Sequence, residues 1–210
     1  LFELLETPSP TGFEIPGQNV WAKYLEKTAT NIDCDAYGST WATLEGKSPK
    51  TIMLEAHADE IGYIIKHIDE KGFLRIDRIG GSDAATGRGR RVHILGDDGI
   101  VSGIIGNTAI HLRKDTLSDE KAPKIHELYV DVGAASADEV KRLGIRVGHP
   151  AVYQDGPIEL AHGRLVGRAL DNRIGGYIIA QVMKRVASGR KKPAFTLVCL
   201  NAIQEEIGGH

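Results

Sequence analysis

Apolar positions recur at helical spacing near the start of the chain. After Pro16-Gly17, the residues Val20, Trp21, Tyr24 and Leu25 fall on one face and Lys23, Glu26 and Lys27 on the other, so residues 1–30 read as helical. A polar turn, Asp35-Ala36-Tyr37-Gly38, precedes a strand-like Thr40–Leu44. The run Thr51-Ile52-Met53-Leu54-Glu55-Ala56 is short and largely apolar, the pattern of a buried central strand, and His57 follows at its C-terminal end.

From about Tyr63 to about Leu160 the texture becomes that of short strands. Ile94-Leu95 and Ile100-Val101 flank Gly96-Asp97-Asp98-Gly99 and predict a hairpin. Further strands are predicted at Phe73–Ile76, Val101–Ile105, Leu128–Val132 and Ala151–Tyr153. Ser136 and Glu139 have capping-box spacing, Val140 and Leu143 supply an apolar side, and Gly144 can end the helix.

After Leu160 the helical period returns. Asn172 is a candidate N-cap for a helix through about Ala187, with Ile174, Tyr177, Ile178, Val182 and Val186 as its apolar stripe. Ser188-Gly189 stops it, and Arg190-Lys191-Lys192-Pro193 leads into a second buried strand, Phe195–Leu200, which runs on to Gln204-Glu205-Glu206. The pattern predicts an α/β domain, residues 1–62 and 161–210, interrupted by a small β-rich domain, residues 63–160.

Composition narrows the classes. The 210 residues are enough to bury a core, and a net charge of −2 gives no bulk field that would favour nucleic acid or an anionic membrane. No apolar run reaches the roughly 18–20 residues that span a bilayer. The opening Leu1-Phe2-Glu3-Leu4-Leu5-Glu6 lacks the basic start of a secretory signal, and without an initiator Met it reads as a trimmed start. The two cysteines, Cys34 and Cys199, are far apart with no Cys-x-x-Cys. Cys199 reads as a small core residue, and a reducing cytoplasm is the expected location. The 25 glycines fit many short strands joined by tight turns.

Three segments carry candidate chemistry: His57-Ala58-Asp59-Glu60-Ile61-Gly62, Ala169-Leu170-Asp171-Asn172-Arg173 and Gln204-Glu205-Glu206-Ile207-Gly208-Gly209-His210. Open α/β sheets bind ligands outside the carboxyl ends of their strands, and both core strands deliver ionisable residues there. His57 and Asp59 are two apart and share a face in extended chain, so Asp59 can accept the second imidazole N–H and fix the ring. Glu205 and Glu206 point apart in a regular strand and share a site only where the strand breaks, for which Gly208-Gly209 is the candidate. One carboxylate can then hold a metal while the other takes a proton from water. Asp171 has two oxygens and can bridge metals about 3.5–4 Å apart. Each feature has an ordinary reading by itself: a satisfied strand-end histidine, a solvated acidic strand end, a helix-start acid. The three together point to a metal site.

Other features are weaker. Gly87-Arg88-Gly89-Arg90-Arg91 reads first as a solvated turn, no Gly-x-x-x-x-Gly-Lys-Ser/Thr or Gly-x-Ser-x-Gly occurs, and His67, His93, His111, His126, His149 and His162 lack ligand spacing.

With Thr7-Pro8-Ser9-Pro10-Thr11-Gly12-Phe13-Glu14 and Gly103-Ile104-Ile105-Gly106, the three segments resemble the M42 metallo-aminopeptidases along the whole chain and in order. That family includes glutamyl, deblocking and tetrahedral aminopeptidases, some with old endoglucanase labels. The resemblance implies a three-layer metallopeptidase sheet with a PDZ-like dimerisation insert, and a homo-oligomer built from dimers, up to a hollow dodecamer. It implies two divalent ions per subunit, zinc or cobalt. His57 would bind one, Asp171 would bridge both, and Glu206 would bind the other or complete the pair. Glu205 would be the general base and Asp59 would orient His57. The Asp171–Asn172 peptide is expected to be cis. The family has a further metal-binding acid after the third motif and a late histidine. A chain ending at His210 is therefore expected to be the N-terminal portion of a longer enzyme, with its metal site and sheet incomplete.

The expected activity is removal of N-terminal residues from peptides by water activated between two metals. The alternatives are a hydrolase of another amide or of a glycoside on the same scaffold, and a non-catalytic assembly subunit. A glycosidase needs two carboxyl groups and no metal.

Overall fold

A computed structural model describes residues 1–109, 112, 122–189 and 191–209. The chain divides into two compact units, Leu1–Glu60 with Gly156–His210, and Ile61–Asp155. Among the described residues no helix is long and apolar enough to cross a membrane.

The first unit is a four-stranded sheet with helices packed on it. Its strands are β1 (Asn31–Cys34), β2 (Thr40–Leu44), β3 (Thr51–His57) and β12 (Thr196–Ala202), in the order β1-β2-β12-β3. Only β12 and β3 run parallel, with Cys199 opposite Leu54 and Ala202 opposite His57. Three helices belong to this unit: α1 (Phe2–Glu6), α2 (Ile15–Leu25) and α5 (Leu170–Ala187). The core joins Trp21 and Leu25 of α2, Ile179, Ala180 and Met183 of α5, and Ala42, Leu197 and Cys199 of the sheet. A short ribbon, β10 (Ile158–Leu160) with β11 (Arg164–Val166), leads into α5.

Several details depart from the sequence expectations. Residues 1–30 are not one helical stretch, because Pro8-Ser9-Pro10 interrupts them and Pro10 instead bridges to Glu60. The strand expected to be central, β3, lies at the edge of the sheet described, with Thr51, Ile52 and Met53 exposed. A short apolar run cannot say how many neighbours a strand has. The stripe assigned to α5 is rotated. Ile178 is 53% exposed, whereas Arg173, Gly176, Ile179, Ala180 and Met183 form the buried face. Small residues let the helix come close to its neighbour: the Trp21 indole N–H donates to the Gly176 carbonyl at 2.9 Å, which satisfies a buried polar atom. Hydrophobicity alone missed that side of the helix.

The second unit is a closed six-stranded barrel of β4 (Gly62–Ile68), β5 (Leu74–Ile79), β6 (Arg91–Gly96), β7 (Gly99–Gly106), β8 (Tyr129–Asp131) and β9 (Pro150–Tyr153). The strand order is β4-β5-β8-β7-β6-β9. The predicted hairpin is β6–β7, with Gly96 paired to Gly99 across Asp97-Asp98. Tyr63, Ile65, Leu74, Ile76, Val92, Ile94 and Val130 fill the interior. The short helices α3 (Ala84–Gly87) and α4 (Ala137–Arg142) complete the unit. The Ser136 side chain caps α4 by accepting from Glu139 N at 3.3 Å, and Gly144 follows the helix at φ +73°. Within the basic segment, Arg90 pairs with Asp155 and lies over the Tyr153 ring.

Candidate metal centre

The residues of interest in the first unit gather at the C-terminal ends of β3 and β12. His57 is the last residue of β3 and only 8% exposed. Its Nδ1 lies 3.2 Å from Asp59 Oδ1, and its Nε2 faces outward, 3.2 Å from Asp171 Oδ1 and 3.7 Å from Glu205 Oε2. Donor atoms of His57, Glu205 and Glu206 all lie within 4.8 Å of one another. The structure therefore brings together all five of His57, Asp59, Asp171, Glu205 and Glu206.

The two glutamates meet because β12 ends at Ala202, before them. Gln204 turns into the left-handed region at φ 59°, and Glu205–Ile207 form a single 3-10 turn. The break thus falls ahead of the acids, not at Gly208-Gly209. Asp171 sits at the head of α5, where Asp171 and Asn172 are non-helical and joined by a cis peptide. Asn172 Oδ1 accepts from Gly175 N at 3.1 Å, as a helix cap does.

Asp59 is the hub of this arrangement. It is fully buried and accepts from Thr11 Oγ1 at 2.7 Å, Glu206 N at 3.1 Å and Glu205 N at 3.2 Å. Burial alone would raise its carboxyl, but the bonds from His57, Thr11 and those two amides outweigh it and hold the group below the usual carboxylate range. Glu14, also buried, accepts from Gly12 N and Gln204 N and so supports the same turn. A third layer of polar contacts centres on Glu60, whose carboxylate accepts from Arg168, Arg173 and Ser9 N. Thr11, Glu14, Arg168 and Arg173 carry no spacing signal toward His57. Glu60 and Arg173 lie inside the motifs, but their types alone gave them no role. Of the remaining histidines, His149 lies beside Asp97 and accepts from Arg146 N in the barrel, while His111 and His210 lie outside the described residues.

These residues suit a divalent cation. One imidazole nitrogen and several carboxylate oxygens converge on one point, and the second imidazole nitrogen is oriented by a carboxylate, as metal-bound histidines usually are. Their electrostatics agree. Burial opposes a charge on His57, yet Asp59, Glu205 and Asp171 push its pKa up to about 9. Burial and the neighbouring Asp59, Asp171 and Glu205 raise Glu206. Acidic oxygens thus surround the imidazole.

The chain has relatives among known proteins. The chain is 31% identical over 209 residues to the putative aminopeptidase FrvX of Escherichia coli K12, covering 99% of this chain and 57% of that protein. It thus spans less than two thirds of that relative's length. Its fold matches the TET aminopeptidase of Thaumarchaeota archaeon SCGC AB-539-E09 with a TM-score of 0.93 at 28% identity, over 99% of this chain and 58% of the other. It also matches the TET1 peptidase of Pyrococcus horikoshii, described as able to assemble into a tetrahedron or a large octahedral shell, with a TM-score of 0.86 at 26% identity, over 98% and 60% of the two chains. The sequence profile of M42 glutamyl aminopeptidases matches residues 38–210, and the chain belongs to that family.

Proposed function

We propose that this chain carries the metal-binding core of an aminopeptidase that hydrolyses N-terminal residues from peptides. The observation that carries the reading is the convergence of His57, Asp171, Glu205 and Glu206 at the ends of two parallel strands. His57 through Nε2, Asp171 and Glu206 would hold two divalent ions, zinc or cobalt. Such ions polarise a scissile carbonyl and lower the pKa of water toward neutrality.

The protein's own groups do the rest. Asp59 holds the imidazole by Nδ1 and pins the backbone of Glu205 and Glu206, so one buried carboxylate sets both sides of the site. Glu205, 59% exposed, stands open to solvent 3.7 Å from the imidazole. It takes a proton from the attacking water as the water oxygen bonds to the carbonyl carbon. As the C–N bond breaks, it delivers that proton to the departing amine nitrogen. Replacing Glu205 by Gln in the metal-loaded protein should leave bound metal unchanged and lower turnover of an aminoacyl substrate by about 10²–10⁴-fold. Unchanged turnover would refute the role of Glu205.

A glycosidase on this scaffold needs no cation, and nothing at the site favours it. Loss of peptidase activity with a chelator, restored by zinc or cobalt, separates the two. We further propose that the barrel unit mediates dimerisation within a larger homo-oligomer, as the assemblies of the TET peptidases encourage. Sedimentation of the protein with and without residues 61–155 tests this: the deletion should lower the oligomeric state.

A further inference from the structure

The Asp171 carboxylate has little of its own to hold it. Its side chain is 88% exposed, and it stands in an irregular turn in which Ala169 is left-handed at φ 60°. The residues that bracket it are held firmly. Arg168 donates through Nη1 to both oxygens of Glu60, at 2.6 and 2.7 Å, and through Nη2 to the Glu6 carbonyl at 2.6 Å. Arg173 donates through Nη2 to the same Glu60 carboxylate at 2.9 Å, through Nε to the Ala58 carbonyl at 3.2 Å, and through Nη1 to the carbonyls of Leu4 and Thr7. Ser9 N is the third donor to Glu60 and makes its fourth hydrogen bond, at 2.9 Å. All three charged side chains are buried: 1% exposed for Arg173, 3% for Glu60 and 8% for Arg168.

Stability is a poor explanation for two guanidinium ions buried on one carboxylate. Desolvating such charges offsets most of their attraction, and apolar replacements of similar volume are often as stable or more so. What apolar contacts do not supply is direction. Each planar guanidinium fork divides its donors between the Glu60 carboxylate and main-chain carbonyls, so it fixes the angle between them as well as the distance. Here the forks tie the segment after His57 to the turn carrying Asp171, more than a hundred residues later in the chain.

We propose that Arg168, Glu60 and Arg173 are positioning residues, a buried brace that fixes the Asp171 carboxylate against the His57 imidazole and thereby sets the affinity of the site for its cation. The brace acts this way only if the site is the metal centre proposed above. Groups that orient metal ligands typically change affinity by about 10–100-fold when replaced.

The test is Co(II) binding to the whole protein, followed by chelator competition and by the visible absorption of the bound ion, which reports coordination geometry. Glu60→Gln removes the charge at the centre of the brace. Arg168→Lys keeps the charge but loses the fork, and it decides the matter alone if Glu60→Gln does not fold. Met183→Ala, in the core away from the site, controls for general loss of stability. Glu60→Gln and Arg168→Lys should each weaken Co(II) binding at least about tenfold and alter the spectrum. Met183→Ala should lower Tm and leave both readings as in the native protein. Brace variants that bind Co(II) with native affinity and spectrum overturn the brace while leaving the metal centre standing. A native protein that takes up no Co(II) overturns the metal centre, and the brace's role falls with it.

Discussion

At the scale of single residues, Asp59 shows how much one buried carboxylate can organise. It touches the imidazole, two backbone amides and the Thr11 hydroxyl, and it is fully buried. Thr11→Val keeps the shape and removes the donor. It should lower stability by about 1–3 kcal/mol, read as a drop in the denaturant midpoint, because a buried carboxylate oxygen loses a partner. The cysteines give a second expectation. Burial pushes the Cys199 thiol up to about 11, while Cys34 is exposed. A raised value means the thiolate is scarce below that pH, so iodoacetamide at pH 8 should label Cys34 alone in the native protein and both cysteines after denaturation, as peptide mass mapping would show. The acids and the imidazole that meet at the sheet end were visible in the sequence because they follow apolar runs directly. The roles of Thr11, Glu14 and Arg168 were not, because a hydrogen bond across dozens of residues leaves no local pattern.

At the scale of elements, turn chemistry was legible and the buried face of α5 was not. Gly96 to Gly99, and Ser136 with Glu139, announced the β6–β7 hairpin and α4 through backbone requirements that hold wherever the segment sits. The buried face of α5 depends on what packs there, and small residues were chosen over the more hydrophobic Ile178. Two substitutions separate the readings. Ile178→Glu should change stability by no more than about 0.5 kcal/mol, whereas Ile179→Ala should cost about 2–5 kcal/mol in chemical denaturation. Gly176→Ala improves helix propensity by about 1 kcal/mol. Its new Cβ would sit 2.9 Å from Asn201 Oδ1, beside the bond to Trp21, so crowding of about 1–3 kcal/mol should win and the protein should be less stable. The strand β4 went unread because Lys66 and His67 break its alternation near a register shift.

At the scale of the molecule, strand content in the middle of the sequence was apparent, but closure into a barrel was not. Closure requires β4 to meet β9, with Tyr63 opposite Ala151, and no local signal specifies that pairing. The same pairing brings the two ends of the 61–155 segment side by side. With its own apolar interior, that segment should fold alone, giving a β-type circular dichroism spectrum and one cooperative thermal transition. A molten, non-cooperative fragment would show that the barrel depends on the rest of the chain. The first unit has a different logic. Two parallel strands end together, a 3-10 turn and a helix head close around their tips, and one imidazole faces several acids.

The decisive measurement is anomalous diffraction at the zinc edge from crystals of the protein equilibrated with Zn(II). Two peaks about 3.5–4 Å apart beside Asp171, one of them about 2.1 Å from His57 Nε2 and the other beside the Glu206 carboxylate, are the predicted result. Zinc found only elsewhere, with that imidazole and those acids left unbound, would contradict the metal centre and the peptidase chemistry built on it.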